Sequence, residues 1–169
     1  MKDYEIQART LLQKLYPYIE HLTDVWSIDN AITEFNYKNE TQIELKYGST
    51  RIALICNDFV IKFNYNGWGS GRFGNGASEV RMYRKAVKDG FGYLFAPIVP
   101  VRKGYNRTFY IMPKIHDIGK CDENAEEFLN GEEYDYIDSN IGDTHYENYG
   151  WEDGHIVLID YAYNITLWQ

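Results

Sequence analysis

Three oxygen-bearing side chains fall late in the chain at spacings that could gather them. Asp143 and Asn148 are five residues apart, and Asp160 follows twelve residues later. Between them, Asp153-Gly154 is a turn signal and Ile156 to Ile159 is an apolar strand that ends on Asp160. A hairpin brings its two ends together, so all three side chains can converge on one point. Hard oxygen ligands of this kind suit Mg²⁺, which takes one or two carboxylates and leaves its other positions to water and substrate phosphates. One aspartate then remains to act on an incoming hydroxyl, and the whole reads as a metal-phosphate site.

A second chemical group lies earlier. Lys62 sits inside the apolar run Phe59-Val-Ile-Lys-Phe63, where an ammonium must either snorkel to water or find an anion. Glu79, in the helical-looking stretch Ser78-Glu-Val-Arg-Met-Tyr83, is a candidate anion. Between them, Gly69-x-Gly71-x-x-Gly74 matches a dinucleotide-binding fingerprint in letters. The strands before it form a meander rather than a strand–helix–strand unit, and no acidic residue ends a suitable second strand. A loop joining the Lys strand to the Glu helix is the reading that fits.

Gly142-Asp143-x-His145-x-x-Asn148 resembles the catalytic loop of the kinase-like phosphotransferases, in the form found in aminoglycoside and choline kinase relatives. Asp160-Tyr161-Ala162 stands where that family has Asp-Phe-Gly, and Val60-Ile61-Lys62 is similar to its Val-Ala-Ile-Lys strand. The resemblance covers Tyr47 to Ala162 and implies ATP and Mg²⁺ as cofactors. On that basis Lys62 would hold the α- and β-phosphates and Glu79 would hold Lys62. Gly48, Ser49 and Thr50 would cover the phosphates, and Met112 would meet the adenine. Asn148 and Asp160 would bind Mg²⁺, and Asp143 would orient or deprotonate the acceptor hydroxyl.

Departures from the family pattern set limits on this expectation. One glycine, Gly48, stands where three are usual, and Ile141 replaces the His that precedes Gly-Asp in the small-molecule kinases. Only Tyr163 to Gln169 follow Ala162, which leaves no room for an activation segment or for helices that hold a peptide. The resemblance implies a minimal phosphotransferase, similar to compact kinase-like proteins of bacteriophages, with the host cytoplasm as its compartment. It equally admits a weak or inactive relative that serves as an acidic inhibitor, adaptor or nucleic-acid mimic on a basic host protein.

Composition narrows the classes further. The chain has 169 residues, enough to bury a core as one domain, and a formal net charge of −8. That charge opposes direct binding to a phosphate backbone but suits a basic protein surface, and 16 tyrosines would serve such a contact. Cys56 and Cys121 cannot build a disulfide framework; Cys56 falls in an apolar strand and reads as a small buried hydrophobe. The opening Met-Lys-Asp-Tyr-Glu-Ile lacks the features of a signal peptide, and no apolar run is long enough to span a bilayer, which predicts a cytoplasmic protein. His145 and His155 flank the hairpin, but their spacing matches no closed zinc set.

These groups need elements to carry them. Ala8, Leu11, Leu12, Leu15, Ile19 and Leu22 recur at helical spacing, with Pro17 predicting a kink or two short helices. From Thr41 the period becomes two, giving three antiparallel strands with turns at Gly48-Ser49 and Asn57-Asp58. A helix carrying Val80, Tyr83 and Val87 then stops at Gly90. Phe95–Val101 and Thr108–Met112 read as two more strands, and Asp117–Asn140 as an acidic helix-and-loop. The prediction is an α+β fold: a helical extension over 1–40, a five-stranded antiparallel sheet with one packed helix over 41–115 that resembles a kinase N-lobe, and a reduced C-lobe remnant over 116–169 carrying the catalytic-loop hairpin.

Overall fold

The computed structural model describes residues 1–48, 51–64, 76–104, 107–116, 125–141 and 145–161. The fold is α+β, with four α-helices, a five-stranded antiparallel sheet and a separate two-stranded hairpin among these residues. Two units can be distinguished, one formed by 1–76 and 99–114, the other by 77–98 and 115–169.

The first unit begins with helices α1 (Asp3–Ile19) and α2 (Val25–Asn39). Helix α1 runs through Pro17 rather than breaking there. Proline costs the helix the bond that its own N–H would make, but only two helical residues follow it, and the Glu20 amide still reaches the Tyr16 carbonyl at 2.9 Å. The break comes instead at 20–24. Asp24 restarts the chain by accepting from the Ser27 amide at 2.8 Å, and that bond holds its carboxyl below the usual carboxylate range.

Strands β1 (Glu44–Tyr47), β2 (Arg51–Ile55), β3 (Phe59–Asn64), β4 (Val99–Lys103) and β5 (Arg107–Pro113) form the sheet in the order β1-β2-β3-β5-β4. Alternation along β3 divides its side chains: Phe59, Ile61 and Phe63 are buried, while Val60, Lys62 and Asn64 are half-buried. The first set joins Ile52, Leu54, Phe109 and Ile111 in one core with Ala8, Leu12, Leu15, Ile19, Ile28, Ile32 and Phe35 of the two helices. The apolar stripe of α1 therefore packs on the sheet, and so does that of α2.

Arg107 fastens α1 to this sheet. Its guanidinium donates to the Ile19 carbonyl at 2.7 Å, which also accepts from the Leu22 amide at 3.2 Å, and to the Leu22 carbonyl just past the helix end, and it lies over the Phe63 ring at 5.5 Å. Burial draws its pKa down from the ordinary arginine value, with Tyr16 opposing.

Expected strand Phe95–Val101 is shorter than its apolar run. Strand β4 starts at Val99, whereas Phe95 makes a parallel bridge with Leu158 in the second unit. Pro97 between them has no amide to donate, which ends one pairing and lets another begin. The second unit also contains most of α3 (Gly76–Asp89), which stops at Gly90 with φ of 91°, and α4 (Gly131–Asn140). Asn130 and Glu133 cap α4 reciprocally, at 3.0 and 2.8 Å. Part of the acidic run thus has a local duty: Glu132 and Glu133 lie in the first turn of α4, where negative charge is stabilising. Its residues 117–124 fall outside the described ones, as do the glycine-rich stretch 65–75 and Cys121.

Replacing Arg107 by Met should keep the stem packing but take the guanidinium from the Leu22 carbonyl and leave the Ile19 carbonyl only its bond from the Leu22 amide, costing about 1–2 kcal/mol, read as a lower urea midpoint. Cys56 is free and buried, and burial pushes its thiol up to about 12 from 9.0, with Lys114 opposing. The unfolded chain ionises first, so this contribution to stability is full below about pH 9 and falls as pH rises towards 12. Accordingly, peptide mapping after iodoacetamide treatment at mildly alkaline pH should find Cys56 unmodified in the native protein and modified in urea.

Candidate functional site

Lys62 lies on β3, the central strand of the sheet, opposite Ala53 of β2 and Tyr110 of β5. Paired residues share a face, so Lys62, Val60, Tyr110 and Met112 stand on the side away from α1 and α2. Lys62 is half-buried, and Tyr110 and Met112 are buried. The backbone at the start of α3 approaches this face so closely that a Cβ on Gly76 would sit 2.2 Å from the Tyr110 ring. Glycine is required there for lack of space.

Past Met112, Pro113 has no amide and the Lys114 amide donates to the Asp58 carbonyl at 3.0 Å. Neither has a backbone donor to offer an adenine ring. At the β1–β2 turn the Gly48 amide donates to the Arg51 carbonyl at 2.9 Å, and a side chain at Gly48 would meet nothing within 4 Å. Ser49 and Thr50, the other expected phosphate-covering residues, lie outside the described residues.

In the second unit Glu79 occupies the first turn of α3 with 0% of its surface exposed. It is the one charged side chain fully buried among the described residues. The buried residues of α3 include Glu79, Val80, Met82 and Ala86, while Tyr83 is half-buried and Val87 exposed, so the expected stripe of Val80, Tyr83 and Val87 holds at Val80 and is turned away at Val87. A carboxylate on an apolar stripe hides the period from any reading of hydrophobicity. Taking such a group out of water is costly unless it is hydrogen-bonded or paired.

Asn148 and Asp160 flank one hairpin, formed by β6 (Tyr149–Glu152) and β7 (His155–Leu158). Asp153 and Gly154, with φ of 51° and 83°, make the two-residue turn whose twist matches the strands. Tyr149 pairs with Leu158, and the next pair outward is closed by the Ile159 amide donating to the Asn148 carbonyl at 2.8 Å. A 3-10 turn over Tyr146–Asn148 delivers Asn148 to this position, its amide donating to the His145 carbonyl at 2.8 Å. The structure thus brings Asn148 and Asp160 to the open end of one hairpin. Asp143 lies outside the described residues, in 142–144.

Asp160 is half-buried and held from both sides. Before it comes the Ile159 bond to Asn148. After it, Tyr161 is buried edge-on to Phe95, ring centres 5.1 Å apart, and its hydroxyl donates to the Ala96 carbonyl at 2.5 Å. The Ala96 amide in turn donates to the Leu158 carbonyl at 2.8 Å. Sequence reasoning missed this anchor; its only trace is an aromatic residue directly after the strand and a proline directly after Ala96.

Among the described residues no three His, Cys, Asp or Glu side chains group to hold a metal ion. Asn148 and Asp160 both carry side-chain oxygens of the hard kind that Mg²⁺ takes from protein. Lys62 and Met112 belong to the first unit, and Glu79, Asn148 and Asp160 to the second. No helix among the described residues is long and apolar enough to cross a membrane. No protein-family model matches the sequence, and no curated protein matches it.

Substituting Phe for Tyr161 should leave the ring packed and orphan the buried Ala96 carbonyl. The expected cost is about 1–2 kcal/mol, visible as a lower urea midpoint at constant m-value. An unchanged midpoint would mean that the bond contributes nothing to holding Asp160.

Proposed function

We propose that this chain is a minimal kinase-like phosphotransferase that uses ATP and Mg²⁺ to phosphorylate a hydroxyl. The observation that carries the reading is the closed pair Asn148–Ile159, which seats an asparagine and an aspartate at one end of a hairpin. Further support comes from a lysine on the central strand of a five-stranded antiparallel sheet and from a fully buried Glu79 at the start of the next helix. In this reading the sheet is the N-lobe and the hairpin belongs to a shortened C-lobe.

Each residue then has one task. Lys62, with Glu79 as its carboxylate partner, positions the phosphates of ATP. Asn148 and Asp160 would hold Mg²⁺, which would supply neutralisation of the charge that develops on the phosphates. Asp143 accepts the proton of the acceptor hydroxyl as its oxygen bonds to the γ-phosphorus. The bond from that phosphorus to the β-phosphate oxygen breaks, and ADP leaves with the electron pair. Catalysis of this type relies on placement and charge neutralisation rather than on covalent chemistry by the protein.

A second reading has its own observation, the net charge of −8. An inactive relative of the same fold would bind a basic protein surface and transfer nothing. Thermal unfolding separates the two. Mg-ATP at about a hundredfold over Kd should stabilise the phosphotransferase by about 2.7 kcal/mol, a rise of about 5–10 °C in Tm. The rise should vanish in Lys62→Ala and Asp160→Ala, and EDTA should abolish it in the parent protein. No shift in the parent, together with salt-sensitive binding to a basic protein, would overturn the enzymatic reading in favour of the second.

A further inference from the structure

A groove opens into the core of the first unit. It lies between α1, the connection from α2 to β1 and the turn from β2 to β3, and its volume is about 620 Å³. Pockets of that size take a small molecule. The floor is apolar: Phe35, Ile43, Cys56 and Phe59 all belong to the core and line the groove. Close packing would normally fill such a gap, yet α1 leaves Ile6 48% exposed on one wall. Burial pushes the Cys56 thiol up to about 12, so it stays uncharged in the floor.

A second wall, formed by 39–43, is held in shape by the fold itself. The Asn36 side chain accepts from the Thr41 hydroxyl at 2.9 Å and from the Ile43 amide at 3.0 Å, and it donates to the Ile43 carbonyl at 2.9 Å. Glu40 turns the chain there with φ of 52°, a left-handed conformation that a residue other than glycine keeps only where its surroundings impose it. The groove therefore has its shape before a ligand arrives, which lowers the ordering cost of binding.

Chemistry of the rim says what fits. Gln7, Gln42 and Asn57 line the groove, are exposed, and make no side-chain hydrogen bond among the described residues. Each amide presents donors beside an acceptor, so it pairs best with a ligand edge that carries an acceptor and a donor side by side. Among the described lining residues Lys14 is the only cation and Glu40 the only carboxylate, so charge cancels. A phosphate chain would meet one lysine and an opposing carboxylate within a chain of net charge −8. An acyl chain laid over the rim would cover the amides without bonding them. A planar ring with amide edges satisfies the floor and the rim together.

We propose that this groove binds an uncharged nucleobase or its nucleoside, the ring against Phe35 and Phe59 and its amide edges on Gln7, Gln42 and Asn57. The proposal is independent of phosphoryl transfer, since none of the residues assigned to that reaction lines the groove.

Side-chain amide signals in proton–nitrogen correlation spectra of the full-length chain read the site directly. Uridine, cytidine, adenosine and guanosine would be titrated one at a time, without Mg²⁺. At least one should shift Gln7, Gln42 and Asn57 together and saturably. Gln7→Ala and Gln42→Ala should each weaken that binding about 10-fold and leave Tm unchanged, because neither side chain has a bond in the fold to lose. Thr10→Trp, which fills the groove from an exposed position of α1, should abolish binding, whereas Gln13→Ala should leave it as it is. The proposal is overturned if no nucleoside moves the three amides, if the Thr10→Trp protein binds as well as the parent, if affinity ignores Gln7 and Gln42, or if a nucleoside monophosphate binds the groove more tightly than its nucleoside.

Discussion

Alternation along one central strand decides most of this architecture. Phe59, Ile61 and Phe63 must leave water, so β3 commits that face to a hydrophobic partner, and the apolar sides of α1 and α2 supply it. The same commitment turns Lys62 to the other face, beside Tyr110 and Met112. A shift of one residue in register would bury the lysine among the helices and expose three large apolar side chains. The position of Lys62 is therefore a by-product of packing the first unit. Arg107 secures the arrangement by tying the end of α1 back to the sheet through the Ile19 and Leu22 carbonyls.

The second unit uses backbone bonds for the same purpose. A strong Asp-Gly turn closes the β6–β7 hairpin, and pairing continues one step past the strands to Asn148 and Ile159. Asp160 follows at once, between that pair and the buried Tyr161. The backbone that carries Asn148 and Asp160 is thereby fixed by main-chain bonds on one side and a buried ring on the other. Elsewhere in this unit, Phe91 stacks on Tyr136 at 4.2 Å, and the Tyr136 hydroxyl donates to Asp89, so α3 and α4 are joined by aromatic and polar contacts together.

Acidity has different meanings along the chain. In α4 it caps and favours a helix start, at Asp24 it caps α2, and at Asp89 it pairs with Lys85 and Tyr136, which hold its carboxyl below the usual range. On the outer side of α2 Glu34 pairs with Lys38. Net charge alone cannot separate these uses, because it is a sum over residues with unlike surroundings.

Strands and turns were legible in the sequence because their causes are local. Period-two apolar runs marked β1, β2 and β3, a short apolar run marked β5, and Asp153-Gly154 marked its hairpin, since side-chain pattern and positive φ are properties of neighbouring residues. Helix boundaries were less so: Pro17 suggested a break that the chain makes only at 20–24, where Asp24 offers a cap. Tertiary structure alone decided three matters. It gave Phe95 and Ala96 to β7 rather than to the sheet, it turned α3 so that Glu79 is buried with Met82 and Ala86, and it tied Tyr161 to Ala96. Each depends on which distant surface a residue meets, and the free energy of burying a carboxylate or orphaning a carbonyl is set by that partner, which lies tens of residues away along the chain.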